Sequence, residues 1–505
     1  MQNEPFDIII IGSGMGGLVS GNVLSLEGFR VCILEKNKQL GGCLQIFVRD
    51  RAIFDSGVHY LGGLDRGQNL YQIFKYLGLI GKLKLQKMDE DGFDRIVLDK
   101  DNKEYKLAQG YPNFIKTLTR DFPEEEKAIR KYCEKIKETC SRFPLYNLER
   151  GGNMEDKVAV MGLSAQKYIE SLTSNRKLQS VLAGNNILYA GHLEETPFYV
   201  HALILNSYIE SSWKCIDGGS GIQKILAQNI RALGGTIQNH AEVEKIIVRD
   251  GRAACVELGD GSRIYANHFI SNMHPSKTMD ITETDLIRKV YRKRLKSLTN
   301  TVSVFIVNLV FKKNAFPYFK YNYYYHKEGS AWSMANYTED NWPLGYAIYL
   351  SASSHSDDFA ESMTIFTYMR YDEVRDWEHT FNTVAKKSDR GDSYELFKKR
   401  KAEKIIDCVE QKFKGLRNCI HQYYTSTPLS YRDYIGTDDG SLYGIAKDYK
   451  DPFKTLIPPR TKVPNLYLTG QNLNLHGILG SAISGLVTSA AFLDSDEFVE
   501  RIKNA

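Results

Sequence analysis

Three spaced glycines near the amino terminus are the residues whose types and positions point most directly to chemistry. Gly12, Gly14 and Gly17 follow an apolar run in the sequence FDIIIIGSGMGG. Glycines at this spacing permit a tight turn, a close approach of the backbone to a pyrophosphate, and close packing of a helix on a strand. The free N–H groups of a helix that begins here would face the phosphate. A tight turn without a ligand is the alternative that the motif alone leaves open.

The segments around these glycines predict the elements that would position such a site. Residues 7–12 predict a buried parallel strand, residues 15–28 a helix that ends at a glycine, and residues 30–35 a second strand. Glu35 falls about 20 residues after the glycines, where an acid at the end of the second strand bonds a ribose hydroxyl. Together these features predict a βαβ dinucleotide-binding unit.

Two further glycine segments extend the pattern. Gly41 and Gly42 precede a predicted β-hairpin, whereas NAD-binding units usually continue directly into another βα repeat. Near the carboxyl terminus, a short buried strand ends at Gly470, and a helix rich in small residues begins at Gly477. The amino terminus of that helix would suit the edge of a flavin that gains negative charge on reduction.

The intervening sequence predicts helices and a small meander. Residues 111–144 are helical and charged, with a helix start at Asp121, and residues 160–212 are helical again. A helix over residues 221–233 precedes short strands whose turns lie at two Asp–Gly pairs, residues 250–251 and 260–261.

Bulk composition excludes several classes of protein. The 505 residues are 42% apolar and 25% charged, with a formal net charge of +5, which is an ordinary globular balance. This length predicts more than one domain, and the charge is too small to predict nucleic-acid binding. The eight cysteines form no C-x-x-C pair, so we expect reduced thiols and no bound metal.

The predicted location follows from two absences in the sequence. No secretory leader is recognised before the first strand. The longest apolar run, residues 302–311, is shorter than the roughly 17–25 residues of a membrane-spanning helix. We therefore expect a cytoplasmic protein that lies, at most, on the inner face of a membrane.

Two short segments have an unusual composition, and each has two possible interpretations. The basic run RKVYRKRLK, residues 288–296, predicts either a solvated helix face or a patch for anionic lipid headgroups. The aromatic run FPYFKYNYYYH, residues 316–326, predicts either strand packing or the wall of a cavity for a long apolar ligand.

With these segments in place, the chain resembles the retinol saturase-like branch of the phytoene desaturase and carotenoid isomerase family of flavoproteins. The segments that carry the resemblance are GGCLQIFVRDRAIFDSGVHYLGG, VLAGNNILYAGHLEETPFYVHALILNSYIESSWKCIDGGSGI, TPLSYRDYIGTDDGSLYGI and NLYLTGQNLNLHGILGSAISG. The resemblance implies an α/β fold with a discontinuous, glutathione reductase-like Rossmann-type FAD-binding domain (residues 1–90, 215–275 and 435–505). It implies an inserted α+β substrate-binding domain (residues 91–214 and 276–434).

The resemblance also implies FAD as the cofactor. Its contacts would be made by Gly12, Ser13, Gly14, Met15, Gly16, Gly17, Glu35, Lys36, Gly41, Gly42, Val243, Gly470, Gln471, Leu479 and Gly480. The first glycines would meet the pyrophosphate, Glu35 the adenosine ribose, and Val243 the adenine through backbone atoms. Leu479 and Gly480 would present N–H groups to the pyrimidine edge of the flavin.

The implied function is FAD-dependent chemistry on a C=C bond of a conjugated isoprenoid or polyene lipid, foremost a saturase of the retinol 13,14-reductase type. The alternatives are a phytoene-type desaturase, a redox-neutral carotenoid cis–trans isomerase, an FAD-containing lipid-binding protein without turnover, and an amine oxidase. The electron donor or acceptor is unassigned: NAD(P)H without a motif of its own, a redox partner, a quinone or oxygen.

Saturation requires a hydride from the reduced flavin and a proton from a donor within about 3 Å of the neighbouring carbon. The resemblance places five candidate donors near the flavin: His59, Tyr60, His201, Tyr443 and His476. For each, hydrogen-bonded packing or orientation of the cofactor is the alternative role. We expect His59 and His476 first.

Overall fold

The computed structural model describes residues 5–99, 101–151, 154–192 and 195–505. All of the predicted cofactor and catalytic residues lie in these ranges, whereas Leu193 and Glu194, in one of the segments that carry the resemblance, lie outside them. The strands, in chain order, are β1 (Phe6–Ile11), β2 (Val31–Leu34), β3 (Ile46–Arg49), β4 (Ala52–Asp55), β5 (Leu61–Gly62), β6 (Leu85–Lys87), β7 (Asp94–Leu98), β8 (Asp101–Leu107), β9 (Ser212–Cys215), β10 (Thr236–Gln238), β11 (Val243–Arg249), β12 (Arg252–Leu258), β13 (Arg263–Ser271), β14 (Thr282–Glu283), β15 (Ser303–Phe311), β16 (Asn322–His326), β17 (Gly345–Leu350), β18 (Ser362–Met369), β19 (Ile420–Ser426) and β20 (Leu466–Leu468). The helices are α1 (Met15–Leu26), α2 (Asn69–Tyr76), α3 (Tyr111–Asp121), α4 (Glu126–Ser141), α5 (Met154–Met161), α6 (Ala165–Leu172), α7 (Arg176–Leu182), α8 (Phe198–Glu210), α9 (Ser220–Ala232), α10 (Pro275–Asp280), α11 (Lys289–Lys296), α12 (Gly391–Lys412), α13 (Leu416–Cys419), α14 (Pro428–Ile435), α15 (Gly477–Ser489) and α16 (Ser495–Lys503).

The first sheet is built around the predicted βαβ unit. Its strand order is β10-β2-β1-β13-β12-β11-β14, and β20 pairs with β13. Strand β1 lies parallel to both β2 and β13, and β20 is also parallel to β13. Strands β11 to β13 form the predicted meander with turns at the two Asp–Gly pairs. The amino-terminal, middle and carboxyl-terminal parts of the chain therefore share one Rossmann-type sheet, and the predicted fold class is confirmed.

Both faces of this sheet are covered, which explains the unbroken apolar run in β1. Ile8 and Ile10 pack in the cluster that contains α1 and α9, whereas Ile9 and Ile11 pack against the side of the meander. Helices α1 and α15 are in close contact, because a Cβ atom on Gly485 would lie 2.8 Å from the Gly16 carbonyl oxygen. The first and last helices of the cofactor region are thus packed directly on one another.

The second sheet combines strands from two separate stretches of the chain. Its order is β19-β15-β18-β17-β16-β7-β8, and its pairs are antiparallel except for β16 with β7. One face packs on α12, and the other packs on the helical region that contains α3, α4 and α8. This α+β unit brings its second face to the carboxyl edge of the first sheet.

Strand β14 pairs with β11, and α11 packs on α10, so residues 282–283, which follow the predicted domain boundary at 276, are part of the first sheet. One helix boundary differs from the sequence prediction. Asp121 is the last residue of α3 rather than a helix start, and α4 begins at Glu126. The backbone of the buried Phe122 has a φ of −134°, which interrupts the helix before Pro123.

The aromatic and basic runs take defined places. Tyr323 of β16 packs its ring 5.4 Å from that of Phe413, whereas the neighbouring Tyr324 points to the opposite face and hydrogen-bonds Tyr60. The basic run forms α11, where Lys296 pairs with Asp280 at 2.8 Å. Within the described residues, no helix combines the length and apolar character needed to cross a membrane.

Candidate active site

A cavity of about 470 Å³, the first cavity, extends from the carboxyl edge of the parallel strands to the face of the second sheet. The predicted site residues in its lining are Gly12, Ser13, Gly14, Met15, Gly16, Glu35, Lys36, Gly41, Gly42, His59, Tyr60, Val243, Tyr443, Gly470 and Gln471. Residues from all three glycine segments therefore meet around one space, together with three of the five candidate proton donors.

The middle of the first cavity is a glycine cradle formed by Gly12, Gly14, Gly16, Gly41 and Gly470. Three of these glycines have φ angles between +91° and +105°, which other residues rarely adopt. A Cβ atom on Gly14 or Gly16 would lie 2.7–2.8 Å from the side chain of the residue that directly follows β13. The missing Cβ atoms therefore allow that side chain to approach the backbone closely.

That residue is Asn272, which the sequence analysis missed. Its Nδ2 atom lies 3.5 Å from the Gly12 carbonyl oxygen, and its Oδ1 atom lies close to Gly470. Asn272 therefore holds together the first and last glycine segments. It directly follows a strand parallel to β1, and ligands bind beyond the carboxyl ends of such strands, so the strand end was the signal that could have revealed it.

Three predicted cofactor residues do not line the first cavity. A Cβ atom on Gly17 would lie 2.2 Å from the Gly12 carbonyl oxygen, and one on Gly480 would lie 2.5 Å from the Leu475 carbonyl oxygen. These two glycines permit close packing behind the site, and Leu479 packs against the apolar cores. The first turn of α15 does reach the cavity, through Gly477, Ile478 and Ser481.

The buried Glu35 ties the end of β2 to the glycine turn. Its Oε2 atom accepts hydrogen bonds from the Ser13 N–H (3.0 Å) and hydroxyl (2.6 Å), and its Oε1 atom accepts one from the Asn37 N–H at 2.9 Å. The Ser13 oxygen in turn accepts the N–H of Gly41 at 3.0 Å. A carboxylate has about four acceptor positions, so Glu35 retains capacity for a ribose hydroxyl.

The neighbouring wall is formed by Lys36 and by residues that precede and begin β11, including Val243. The Lys36 Nζ donates to the Asp433 carbonyl oxygen at 3.1 Å, and burial lowers the pKa of this ammonium. With the glycine cradle and Glu35, this wall fits a dinucleotide: bare backbone for phosphates, a buried acid for a ribose, and an apolar strand start for a base.

The other end of the first cavity, the aromatic end, is formed by His59, Tyr60, Tyr349, Phe366 and Tyr443. The His59 ring stacks on Tyr349 with centroids 4.3 Å apart and an interplanar angle of 5°. Burial, with a smaller effect of Lys214, lowers the pKa of His59 to about 3. Among the described residues, no partner lies within hydrogen-bonding reach of its buried Nε2 atom. His59 is therefore a neutral ring with one polar atom free to meet a bound molecule.

Tyr60 is joined to a chain of buried hydroxyl groups. Its Oη atom donates to Asp94 Oδ2 at 2.9 Å and lies 2.8 Å from the Tyr324 Oη atom, which is 3.3 Å from the Tyr349 Oη atom. Because Tyr60 and Tyr349 line the first cavity, this chain links Asp94 to the cavity wall.

Asp94, the first residue of β7, is fully buried. Its carboxylate also accepts hydrogen bonds from the side-chain amides of Asn322 at 3.0 Å and Asn185 at 3.3 Å. Burial raises the pKa of Asp94 to about 6, against the opposing effect of these donors and of the nearby Lys214. The carboxyl therefore changes protonation state near neutral pH, which the sequence did not indicate.

Tyr443 and His476 are held by the same short segment. The centroids of their rings lie 4.4 Å apart. The Tyr443 hydroxyl donates to the Ile187 carbonyl oxygen at 3.1 Å, and the His476 Nε2 atom lies 3.3 Å from the Leu188 carbonyl oxygen. Burial lowers the pKa of His476 to about 4. Tyr443 lines the first cavity, whereas His476 stands behind it, at the amino terminus of α15.

His201 lies outside the first cavity. It is fully buried in α8, where the hydroxyl groups of Tyr132 and Tyr189 lie 2.6 Å from its two ring nitrogens. Burial lowers its pKa to about 3. His201 therefore lies in an apolar core with a tyrosine hydroxyl beside each ring nitrogen, away from the first cavity.

Comparison with known proteins gives matches over part or nearly all of the chain. The family model described as an NAD(P)-binding Rossmann-like domain matches residues 10–77. Human all-trans-retinol 13,14-reductase is 26% identical over 540 residues, which cover 97% of this chain and 86% of that protein. The carrot chloroplast prolycopene isomerase is 26% identical over 523 residues, covering 96% and 80%.

A solved structure, putrescine oxidase bound to putrescine, superposes with a TM-score of 0.65 at 15% identity, covering 97% of this chain and 99% of that one. At this identity the likeness shows the shared fold. The overall fold therefore has a precedent in a protein of known structure.

Proposed function

We propose, from the resemblance of this chain to the retinol saturase-like branch of the phytoene desaturase and carotenoid isomerase flavoproteins, that it is an FAD-dependent oxidoreductase. Its substrate would be a conjugated isoprenoid or polyene lipid, and its reaction the saturation of one C=C bond. The observation that carries the proposal is the first cavity, because the glycine cradle and the aromatic end line one space, with the buried Asp94 behind the aromatic end.

The bound, reduced flavin would supply a hydride to one carbon of the double bond. The glycine cradle would hold the pyrophosphate through backbone N–H groups, and Glu35 would accept the ribose hydroxyls. The first turn of α15 would direct N–H groups toward the flavin. The aromatic end would exclude water and hold the polyene by stacking and apolar contact.

The same reaction needs a proton for the second carbon, and Tyr60 is the donor that the geometry favours. The π bond of the substrate breaks, a new C–H bond forms with the Tyr60 proton, and the protonated Asp94 carboxyl restores that proton through their 2.9 Å hydrogen bond. Solvent then reprotonates Asp94 before the next turnover. His59 is neutral, and we assign it, with Tyr443 and His476, to positioning of the flavin and the substrate.

A redox-neutral carotenoid isomerase is the second candidate. It is favoured by the prolycopene isomerase of carrot, which matches this chain at the same 26% identity as the human reductase. A phytoene-type desaturase would run the same proton and hydride steps in reverse. A lipid-binding protein that keeps FAD without turnover would share the cavity and lack the chemistry.

Anaerobic mixing of the FAD-loaded protein with a polyene distinguishes these functions. A saturase oxidises a flavin that NADPH or dithionite has reduced, and the product is heavier by two hydrogen atoms. A desaturase reduces an oxidised flavin, an isomerase changes only the retention time of the lipid, and a carrier changes neither. Retinol and prolycopene are the probes. An unchanged flavin spectrum and unchanged lipids with both probes would refute the saturase.

We also propose peripheral contact with the inner face of a membrane, where such a lipid resides. Helix α11 and the residues before it expose basic side chains next to Leu286 (43% exposed) and Val290 (80% exposed). Basic residues beside exposed apolar ones favour an anionic interface. Co-sedimentation with phosphatidylglycerol vesicles, weakened by Val290→Glu and absent with phosphatidylcholine alone, is the expected result; equal binding by the variant would contradict it.

A further inference from the structure

A second cavity, of about 920 Å³, adjoins the first. It lies between the β3–β4 hairpin, α12, α14 and the second sheet, and the two cavities share four lining residues: Gly42, Cys43, Tyr434 and Ile435. None of the roles assigned above uses this space.

Strand register shows that one sheet face forms the floor of both cavities. Phe366 of β18 pairs with Ile306 of β15, which pairs with Ser426 of β19. Directly paired residues point to the same face of a sheet. Phe366 lines the first cavity, and the other two line the second. Because neighbouring strands lie about 4.8 Å apart, this row continues roughly 10 Å beyond the aromatic end.

A second row runs beside the first. It consists of Tyr349, Thr364, Asn308 and Tyr424, on β17 and on the three strands of the first row. The Thr364 hydroxyl donates to Asn308 Oδ1 at 2.9 Å, so these two polar groups satisfy one another within the floor. The floor is thus one continuous sheet face that extends from the chamber where Tyr60 and Tyr349 lie to the second cavity.

We propose that the second cavity binds the unreactive tail of an extended isoprenoid chain while the reacting double bond lies at the aromatic end. This inference rests on the proposed function. The first cavity, at about 470 Å³, must also contain a dinucleotide, whereas pockets for drug-sized ligands measure roughly 300–1,000 Å³ by themselves. The additional volume for a long chain is found in the second cavity.

The rim of the second cavity argues against a second dinucleotide as its occupant. Lys398 is paired with Glu395 at 2.8 Å, and the Arg49 guanidinium lies over the rings of Phe47 and Tyr424, 5.7 and 5.6 Å from their centroids. A pyrophosphate site needs cations or helix N–H groups directed at the phosphates. Two of the three cations that line the second cavity are instead engaged with an acid and with aromatic rings; the third is Lys399.

Exposed apolar side chains lie at the opening of the second cavity. Val384 and Leu396, which line the second cavity, are 65% and 66% exposed. Exposed apolar groups around a cavity are a feature of binding sites for apolar ligands. An isoprenoid chain would cover them on entering.

The test fills the second cavity from the edge strand. Ser426→Trp places a large side chain on the floor, and His421→Trp is the matched control, because His421 is an exposed residue of the same strand outside both linings. Equilibrium binding to the FAD-loaded protein is measured for all-trans-retinol and for the shorter 2,4-decadien-1-ol. We expect Ser426→Trp to weaken retinol binding about tenfold, the effect of losing a few buried methylene groups, and to leave the short alcohol within about twofold.

Several outcomes would overturn the inference. Retinol affinity equal to that of the unmodified protein, equal loss for both alcohols, or slower flavin reduction by NADPH with unchanged retinol binding would each do so. If Ser426→Trp does not fold, Leu396→Glu at the mouth serves instead and should weaken retinol binding several-fold. Failure of the proposed function gives a different result: retinol binds and the variant weakens it, but no saturated product forms.

Discussion

The two ends of the first cavity are built in different ways. The glycine cradle is made of backbone: Gly12, Gly41 and Gly470 have φ angles between +91° and +105°, and the first and last of them lie against the side chain of Asn272. The aromatic end is made of side chains from segments far apart in the sequence, with a buried carboxyl behind them. A backbone site specifies the class of cofactor, whereas the side chains decide the reaction and the substrate. The following variants separate the two contributions.

The largest effect is expected from damage to the backbone end. In Gly17→Ala the new Cβ atom would lie 2.2 Å from the Gly12 carbonyl oxygen, so the turn and the helix must separate. We expect at least about tenfold less bound flavin, since a clash of this severity exceeds the 1.4 kcal/mol that a factor of ten represents. The ratio of flavin to protein absorbance after purification measures it.

Gly162→Ala is the matched control for that variant. Gly162 lacks a left-handed backbone, and its added Cβ atom would meet its nearest neighbour at 3.9 Å. Its flavin content should equal that of the unmodified protein. A flavin-replete Gly17→Ala protein would show that the glycine spacing does not specify the cofactor site.

The next effect concerns proton delivery at the aromatic end. Tyr60→Phe should retain its flavin and lose roughly 100-fold in turnover, the usual contribution of a positioned acid. In the unmodified protein, turnover should fall as pH rises through about 6, because the proposed mechanism needs a protonated Asp94 to restore the Tyr60 proton and burial raises the pKa of Asp94 to that value.

Asp94→Asn keeps a hydrogen-bonding side chain and removes the ionisation. We expect turnover to be lower than in the unmodified protein and to show no decline as pH rises through 6, with unchanged flavin content. Pre-steady-state turnover between pH 5 and 8 is the measurement. A pH profile that keeps its decline in this variant would assign the titration to another group.

A smaller effect is expected from His59. Its pKa is lowered to about 3 by burial, so it carries no dissociable charge near neutral pH. His59→Phe preserves the stack on Tyr349 and should change turnover per flavin by less than about threefold, whereas loss of a true acid catalyst costs at least about 100-fold. Comparison with His476→Ala under the same flavin-replete conditions tests the second histidine, and a 100-fold loss in either would restore it as the donor.

The smallest effect on turnover is expected from His201, which lies outside the first cavity. His201→Phe should leave turnover per flavin unchanged and lower the free energy of unfolding by about 2–4 kcal/mol, because two buried tyrosine hydroxyls lose their partner. Since burial lowers the pKa of His201 to about 3, its contribution is present above pH 6.5 and is lost as pH falls toward 3.

Urea unfolding at several pH values measures this contribution. The acid-induced loss of stability should be shallower in His201→Phe than in the unmodified protein. A large fall in turnover per flavin would instead connect α8 to the aromatic end.

The sequence indicated which glycine segments meet at the backbone end, because the determinants of those turns are local. Spacing in residues 12–17 defines a turn and a helix start, and the acid at Glu35 is set by the length of one βαβ unit. Asn272 was within reach by the same reasoning, since it follows a parallel strand. The predicted helix start at Asp121 was wrong because α3 continues to that residue, and Phe122, which precedes Pro123, takes a non-helical conformation.

The aromatic end could not be derived in this way. Strands β16, β17 and β18 are buried on both faces, so no alternation indicates which residue of a pair such as Tyr323 and Tyr324 faces the cavity. The resemblance supplied His59, Tyr60 and Tyr443 as candidates. The role of Asp94 depends on pairing between β7 and β16, more than two hundred residues apart, and that pairing has no local signature.

The contact between α15 and α1 has a consequence for how the protein is made. The Gly470 N–H binds Ser484 at 3.0 Å, β20 pairs with β13, and Gly485 packs on Gly16, so the last part of the polypeptide completes a pocket whose first part leaves the ribosome hundreds of codons earlier. Nascent chains arrested before Asn465 should therefore emerge without yellow pigment, and uptake of the prosthetic group becomes a final step of biosynthesis.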